Sequence, residues 1–384
     1  MKAKEEGANR KTFLEETSKL KRPTEDSPIN IHRSNKDISA IVDPVVSWYR
    51  THKRDLPWRH HPTAYQVWVS EIMLQQTRAE VVKTYYTRFL EKLPTVQDLA
   101  EAQEDTLLKL WEGLGYYNRV RNMQTAARQI MTDYNGQFPT TYAEIRALKG
   151  IGNYTAGAIC AFAYGIPKPA VDGNVLRVFS RLTGSSENIS LQKTKRNVER
   201  SLQEIIPAHA ASDFDQGLIE LGALVCIPHA APKCDTCPLS SFCVACQYGL
   251  TSVLPVKSKS KSRKIEHRTV LLFKDTECIA IRKRPPKGLL AGLYELPNYE
   301  GSWSLEEVSA YSKQIGLMPV RLKELPPAKH IFSHIEWHMI GYEILVDELD
   351  QTNEENFLFI CPEEIRKGYP IPSAFSAYTR YAEI

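Results

Sequence analysis

Apolar side chains recur at helical spacing from Ile41 to about Gln247, and the pattern changes beyond that point. Val45, Val46, Trp48 and Tyr49 fall on one face of a first helix, and Val81, Val82, Tyr85, Tyr86, Phe89 and Leu90 on the inner face of another. Loops carrying Pro94, Gly113, Gly136 and Pro139 divide these helices. Further along, Gly150-Ile151-Gly152 makes a tight turn ahead of a helix over 154–164, with Asn153 as its cap. Val171-Asp172-Gly173-Asn174 then opens a helix over 175–182, and an apolar helix runs from Phe214 to Val225. After a run of alternating Lys/Arg and Ser from Lys257 to Lys264, the period becomes that of strands: Thr269–Phe273 pairs with Cys278–Arg282, and Ile335–Val346 forms a longer strand. The pattern predicts a multidomain chain with no internal repeat. It has a mobile tail at 1–37, a mostly α-helical domain at 38–248, a solvated basic linker at 249–266 and a smaller α+β domain at 267–384.

Composition narrows the class. With 384 residues, 42% hydrophobic and 24% charged, the chain can bury the cores of two or three domains. No apolar run approaches the ~20 residues of a membrane span, so no membrane partner is expected. The first residues, MKAKEEGANRKTFLEE, lack an apolar signal core and carry too many acids for a transit peptide, which points to an intracellular protein. A net charge of +4 permits nucleic-acid binding only if the basic residues gather on one face.

Three stretches carry chemistry. Gly150 and Gly152 before a helix N-terminus present backbone amides to an anion, for which a phosphodiester is the obvious candidate, although a plain turn is the commoner meaning. Asp172 can aim into a cleft or simply cap its helix. Glu71 sits among Trp68, Val69, Ile72 and Leu74, where burial favours the protonated form that a general acid needs. A solvent-facing Glu on an amphipathic helix is the commoner meaning. Cys226, Cys234, Cys237 and Cys243 follow the apolar helix with gaps of seven, two and five residues and describe a loop that can surround one metal centre, zinc included. Cys246 lies three positions on and could substitute, though a bystander role is preferred. Gly113-Leu-Gly-Tyr-Tyr-Asn-Arg119 sets two aromatics beside glycines and an arginine, suited to wedging between bases while holding phosphate, or else to ordinary core.

In order, these motifs resemble the helix-hairpin-helix, Gly/Pro-Asp superfamily of DNA glycosylases. Asp55-Leu-Pro-Trp-Arg59 and Ser70-Glu-Ile-Met-Leu-Gln-Gln-Thr77 are similar to its adenine-specific MutY branch, and the resemblance runs from Ile41 to the C-terminus. It implies an enzyme that removes adenine opposite 8-oxoguanine or G in duplex DNA. Glu71 would be the acid and Asp172 the carboxylate facing the sugar, with Tyr154 and Asn174 orienting them. Arg54, Leu56, Trp58, Arg59 and Gln216 would line the adenine pocket, and Gln76 and Tyr116 would insert beside the lesion. The four-cysteine loop would hold a [4Fe-4S] cluster, its first gap one residue longer than the family pattern. Tyr154 stands where bifunctional relatives have a Schiff-base lysine, which implies a monofunctional enzyme. Gly288-Leu-Leu-Ala-Gly-Leu-Tyr-Glu-Leu-Pro297 resembles the opening of the Nudix fold, but Leu305 to Gly316 has only Glu306 and Glu307 where a hydrolase needs several carboxylates. The C-terminal domain is therefore expected to bind, with Phe332-Ser333-His334 matching the loop that detects 8-oxoguanine. The resemblance further implies a monomer in the cytoplasm or nucleoid of a bacterium, or in a eukaryotic nucleus.

Overall fold

The computed structural model describes residues 38–258, 262–347, 349 and 355–384; the tail at 1–37 and the linker's centre at 259–261 lie outside the described residues. The helices run α1 Val42–His52, α2 Ala64–Leu74, α3 Ala79–Lys92, α4 Val96–Glu101, α5 Glu104–Leu110, α6 Asn118–Asp133, α7 Tyr142–Ala147 and α8 Asn153–Tyr164. They continue as α9 Gly173–Thr183, α10 Gln192–Gln203, α11 Ala211–Leu224 and α12 Val244–Gln247. Strands β1 Lys264–Lys274, β2 Ile279–Lys283, β3 Tyr294–Glu295 and β4 Asn298–Glu300 precede α13 Leu305–Gln314. Then come β5 Pro319–Ile331, β6 Ile335–Val346, β7 Leu358–Ile360, α14 Pro362–Gly368 and α15 Ser376–Thr379. Among the described residues no helix is long and apolar enough to cross a membrane.

By contacts the chain forms two compact units. The first takes the chain up to Asp55, then Thr140–Arg146 and Gly152–Ser258; the second takes Leu56–Pro139, Ala147–Ile151 and Lys259–Ile384. The first is helical, with Val45, Tyr49, Val175, Phe214, Leu218 and Leu221 at the centre of its core. Two glycines on α11 let helices touch there: a Cβ at Gly217 would lie 2.6 Å from Val45, and one at Gly222 would lie 2.5 Å from Asn174. Asn153 is the first residue of α8 rather than its cap; its side chain instead accepts from Arg146 Nε at 2.7 Å and donates to Glu199 at 3.2 Å.

In the second unit, α2 starts on a capping box in which Thr63 and Gln66 bond reciprocally. On α3 the buried positions are Val82, Tyr86 and Phe89, spaced four and three apart, while Val81 lies outside that stripe and is exposed. The sheet runs β3-β2-β1-β6-β5, with β4 on β1 and β7 on β2. β1 and β2 pair antiparallel at Lys274↔Ile279, while β1 and β6 are parallel from Lys264↔Ile335 to Lys274↔Leu345. Val270 and Leu272 pack toward Phe375 and Tyr378, and Leu271 and Phe273 toward Val308 on the opposite face. Both faces are covered, which explains the unbroken apolar run 270–273. β1 begins at Lys264, so the last three residues of the stretch read as linker are strand.

Helices of 56–139 join this sheet through side chains. Lys283 Nζ meets Asp105 at 2.9 Å, Arg121 Nη2 donates to Ala291 O at 2.7 Å, and Ile371 N donates to Glu112 at 2.7 Å. Periodicity and contacts therefore divide the chain differently, because periodicity reports the local element and not which elements share a unit.

Candidate active site

In the first unit, Asp172 is the N-cap of α9. Its Oδ1 accepts from Asn174 N at 2.9 Å and Val175 N at 2.8 Å, and its Oδ2 accepts from Asn174 Nδ2 at 2.7 Å. Burial pushes its pKa up, opposed by those three hydrogen bonds and by the charge of Arg177. Cap and functional acid are thus compatible: the amides hold one oxygen in a fixed direction, and the second oxygen is steered by Asn174. Asn174 is held in turn, since Arg177 Nη2 donates to its Oδ1 at 2.8 Å and to Gly222 O at 2.7 Å, while Arg177 Nε donates to Cys226 O at 2.7 Å. Arg177 was not singled out in the sequence, and its only signal there is lying three residues past Asn174, one helical turn on. Tyr154, half-buried, lies in the first turn of α8.

Of the residues expected to line a base pocket, Arg54 and Gln216 belong to this unit. Arg54 is committed to scaffolding, with Nε and Nη2 gripping the buried Glu220 at 2.8 Å each and its backbone N–H donating to the same carboxylate at 3.0 Å. Gln216 accepts from Tyr49 OH at 2.8 Å and donates to Ser212 at 2.9 Å.

The cysteine loop also lies here. Cys226, Cys234, Cys237, Cys243 and Cys246 line one cavity together with Arg181. Cys246, read from the sequence as a bystander, lines the same cavity as the other four rather than lying apart from them. Arg181 Nη1 approaches Cys226 Sγ at 3.3 Å, and Cys243 Sγ donates to Arg181 O at 3.3 Å. Among the described residues no three His, Cys, Asp or Glu side chains are placed to hold a single metal ion. Thiolates gathered around one cavity are the donor set that an iron–sulfur or a zinc centre requires.

In the second unit, Glu71 is buried at 5% exposure on α2, which overturns its solvent-facing reading. Leu56 and Trp58 are also buried, Trp58 edge-on to Tyr86 at 5.5 Å, and Arg59 closes the single turn Pro57–Arg59. Gln76 and Tyr116 are both exposed and both left-handed, with φ of 61° and 48°. Tyr116 OH lies 2.8 Å from Ser333 Oγ. Phe332-Ser333-His334 is the tip of the β5–β6 hairpin, closed by Phe332 N donating to Ile335 O at 2.8 Å, with Phe332 against Trp337 and the other two exposed. Gly150 has φ +79° and no room for a side chain beside Asn122, whereas Gly152, extended, faces open space.

Arg119 corrects an expectation. Instead of facing phosphate, its guanidinium turns inward to the carbonyls of Ile72, Met73, Gln75, Leu114 and Gly115 at 2.6, 3.3, 2.8, 2.9 and 3.0 Å, and burial lowers its pKa to about 10. On α13, Glu307 is spent on the capping box with Ser304, its carboxylate accepting from Ser304 N at 2.7 Å.

Comparison with known proteins adds a family to these sites. Residues 69–208 match the family model "HhH-GPD superfamily base excision DNA repair protein", and residues 268–380 match "NUDIX domain". Adenine DNA glycosylase of Mus musculus is 32% identical over 84% of this chain and 74% of its own length. Adenine DNA glycosylase of Buchnera aphidicola subsp. Baizongia pistaciae is 31% identical over 83% and 89% respectively. Among solved structures, a trapped endonuclease III–DNA covalent intermediate superposes with a TM-score of 0.50 at 25% identity, covering 57% of this chain and 100% of that one. A thermostable thymine-DNA glycosylase gives 0.51 at 29%, covering 56% and 98%.

Proposed function

The chain belongs to the adenine DNA glycosylase family, enzymes of base excision repair, and on that premise we propose that it hydrolyses the N-glycosidic bond of adenine opposite 8-oxoguanine, or opposite G, in duplex DNA. The observation that carries the lesion preference is the 2.8 Å approach of Tyr116 OH to Ser333 Oγ, which couples the wedge to the hairpin tip within one unit.

Adenine is flipped from the stack, and Gln76 and Tyr116 fill the space it leaves. Glu71 gives its proton to N7 as the bond from C1′ to N9 breaks, and the electron pair leaves with adenine. The Asp172 carboxylate stabilises the cationic sugar, held in direction by Asn174 and the α9 amides, and Tyr154 helps orient the pair. Water then adds at C1′ and passes a proton to Glu71. Leu56 and Trp58 supply apolar wall, Arg59 and Gln216 polar edges, and Arg54 holds its segment through Glu220. The amides around Gly150 and Gly152 bind backbone phosphate. Phe332, Ser333 and His334 read the 8-oxoguanine edge, whose N7–H is a donor that guanine lacks.

Cys226, Cys234, Cys237 and Cys243 would hold a [4Fe-4S] cluster that braces the loop after α11. We further read 1–37 as a tail, 38–248 as the glycosylase domain, 249–266 as a linker and 267–384 as the lesion-reading domain, in a monomer working inside the cell. The mechanism is monofunctional because Tyr154 offers no amine. Single-turnover assays on A:8-oxoguanine and A:G duplexes test this: excision should appear as strand breaks only after hot alkali, fastest on A:8-oxoguanine. Breaks before alkali, with borohydride trapping the protein on DNA, would contradict it.

A further inference from the structure

We propose that Arg119 is a positioning residue that holds Gln76 and Tyr116 in the backbone conformations from which both side chains project, so that one guanidinium sets the geometry of both inserting segments. This rests on the reading of Gln76 and Tyr116 as inserting residues. Residues Leu74 to Thr77 form a type II turn: Gln75 has φ −59° and ψ 110°, Gln76 has φ 61°, and Thr77 N donates to Leu74 O at 3.3 Å. Glycine is the usual occupant of the Gln76 position. Rotating the peptide between Gln75 and Gln76 gives a type I turn, in which Gln76 would return to negative φ. The carbonyl that would have to swing is Gln75 O, and Arg119 Nη1 holds it at 2.8 Å while also holding Ile72 O at 2.6 Å.

The second segment repeats the device. Tyr116 has φ 48°, and the peptide leading into it carries Gly115 O, held by Arg119 Nη2 at 3.0 Å and by Trp111 Nε1 at 3.1 Å. Tyr116 is 51% exposed and Gln76 is exposed, so packing of their own side chains does not hold these backbones. Such conformations persist only where the surroundings over-determine them. Arg119 sits over Trp111 at 5.2 Å and Tyr116 at 5.7 Å. A planar fork can serve two loops some forty residues apart at once, whereas an ammonium is a point donor.

The test is a double-mutant cycle. Arg119→Lys is made in the wild-type chain and in a Gln76→Ala/Tyr116→Ala chain, and affinity is measured for a duplex carrying unreactive 2′-fluoroadenosine opposite 8-oxoguanine. Undamaged duplex and thermal melting serve as controls. Arg119→Lys should weaken lesion binding about 10-fold or more in the wild-type chain, with undamaged duplex unaffected, and less than about 2-fold in the double-alanine chain. Arg119→Gln is the second variant if Arg119→Lys does not fold. Equal losses in both chains, or no loss in the first, overturn the role of Arg119. A double-alanine chain that binds the lesion like wild type overturns the insertion reading and this inference with it.

Discussion

Replacing Gly222 by Ala tests whether the Asp172 turn depends on how closely two helices approach. A Cβ on Gly222 would lie 2.5 Å from Asn174 Cβ, 3.0 Å from its Cα and 3.2 Å from its carbonyl carbon, where ordinary contacts begin at 3.4 Å. The helices must part by roughly 1 Å, since packed cores have no slack to absorb a methyl. Two effects compete. Alanine gains about 1 kcal/mol of helix propensity over glycine, and forcing a methyl into a packed core costs about 1–3 kcal/mol. Two of the three nearest atoms are α9 backbone, so no rotamer change relieves the clash, the cost falls in the upper part of its range, and a net destabilisation of up to about 2 kcal/mol follows. The effect on rate is larger. Asn174 orients Asp172, and a displacement of ~1 Å at a reacting group costs about 100-fold. Single-turnover excision with enzyme in excess measures it, alongside melting to confirm that the variant is folded. Gly368→Ala, with nothing within 4 Å of the added carbon, is the neutral control. A folded Gly222→Ala that excises adenine at the wild-type rate would refute the coupling between helix approach and carboxylate position.

Other perturbations address separate parts. Glu71→Gln and Asp172→Asn should each bind A:8-oxoguanine duplex yet lose excision about 100-fold or more, and wild-type single-turnover rates in either remove that residue from the mechanism. Purified protein should contain iron rather than zinc and absorb visible light, and Cys226→Ser should lose both; zinc by elemental analysis would reverse the cofactor assignment. Mutating Ser333 and His334 together to Ala should cut the preference for A:8-oxoguanine over A:G about 10-fold while excision from bound substrate changes less; an unchanged preference ratio would move lesion reading to the helical segments. Asp215 is fully buried with its pKa well above the ordinary carboxylate range, through burial and despite an amide bond from Ala170 at 3.0 Å. The folded chain therefore binds this proton more tightly than the unfolded one, so its contribution to stability falls as pH rises from the ordinary carboxylate value toward the folded pKa. Asp215→Asn, which keeps an acceptor for Ala170, should flatten the denaturation midpoint over that window, and an unchanged pH profile would count against a protonated Asp215.

Much of the fold was legible because helical and strand periods are local. The α12 end at Gln247 and the β6 limits fell where the pattern predicts. Glu71 was left open between burial and solvent by its residues alone; the structure buries it because α2 is apolar on most sides and leaves little surface for solvent. What escaped notice is what depends on the third dimension. Asn153 has the right identity for a cap, but Arg146 and Glu199 compete for its side chain. Arg119 sits in a motif suited to holding phosphate and is turned inward by five carbonyls, from the end of α2 and the turn after it and from the loop before α6. Cys246 lies outside the expected spacing yet reaches the cavity because the short helix α12 turns the chain back directly after Cys243.

A basic protein that binds DNA invites counting its arginines as DNA contacts, and here that count misleads. Arg119, Arg177 and Arg181 each turn the guanidinium to backbone carbonyls: Arg177 to Gly222 and Cys226, and Arg181 to Thr251, Ile227 and Leu254. Only arginine offers five donors in one plane with a charge that survives partial burial, so a single residue can satisfy orphan carbonyls at helix ends and loop turns together. The same property makes Arg→Lys at these positions a loss of geometry rather than of charge. These three guanidiniums are therefore expected to add little to the affinity for undamaged DNA. The salt dependence of binding to undamaged duplex should therefore be unchanged in Arg177→Gln, which removes the charge, while excision falls, and a reduced salt slope would show that Arg177 meets phosphate after all.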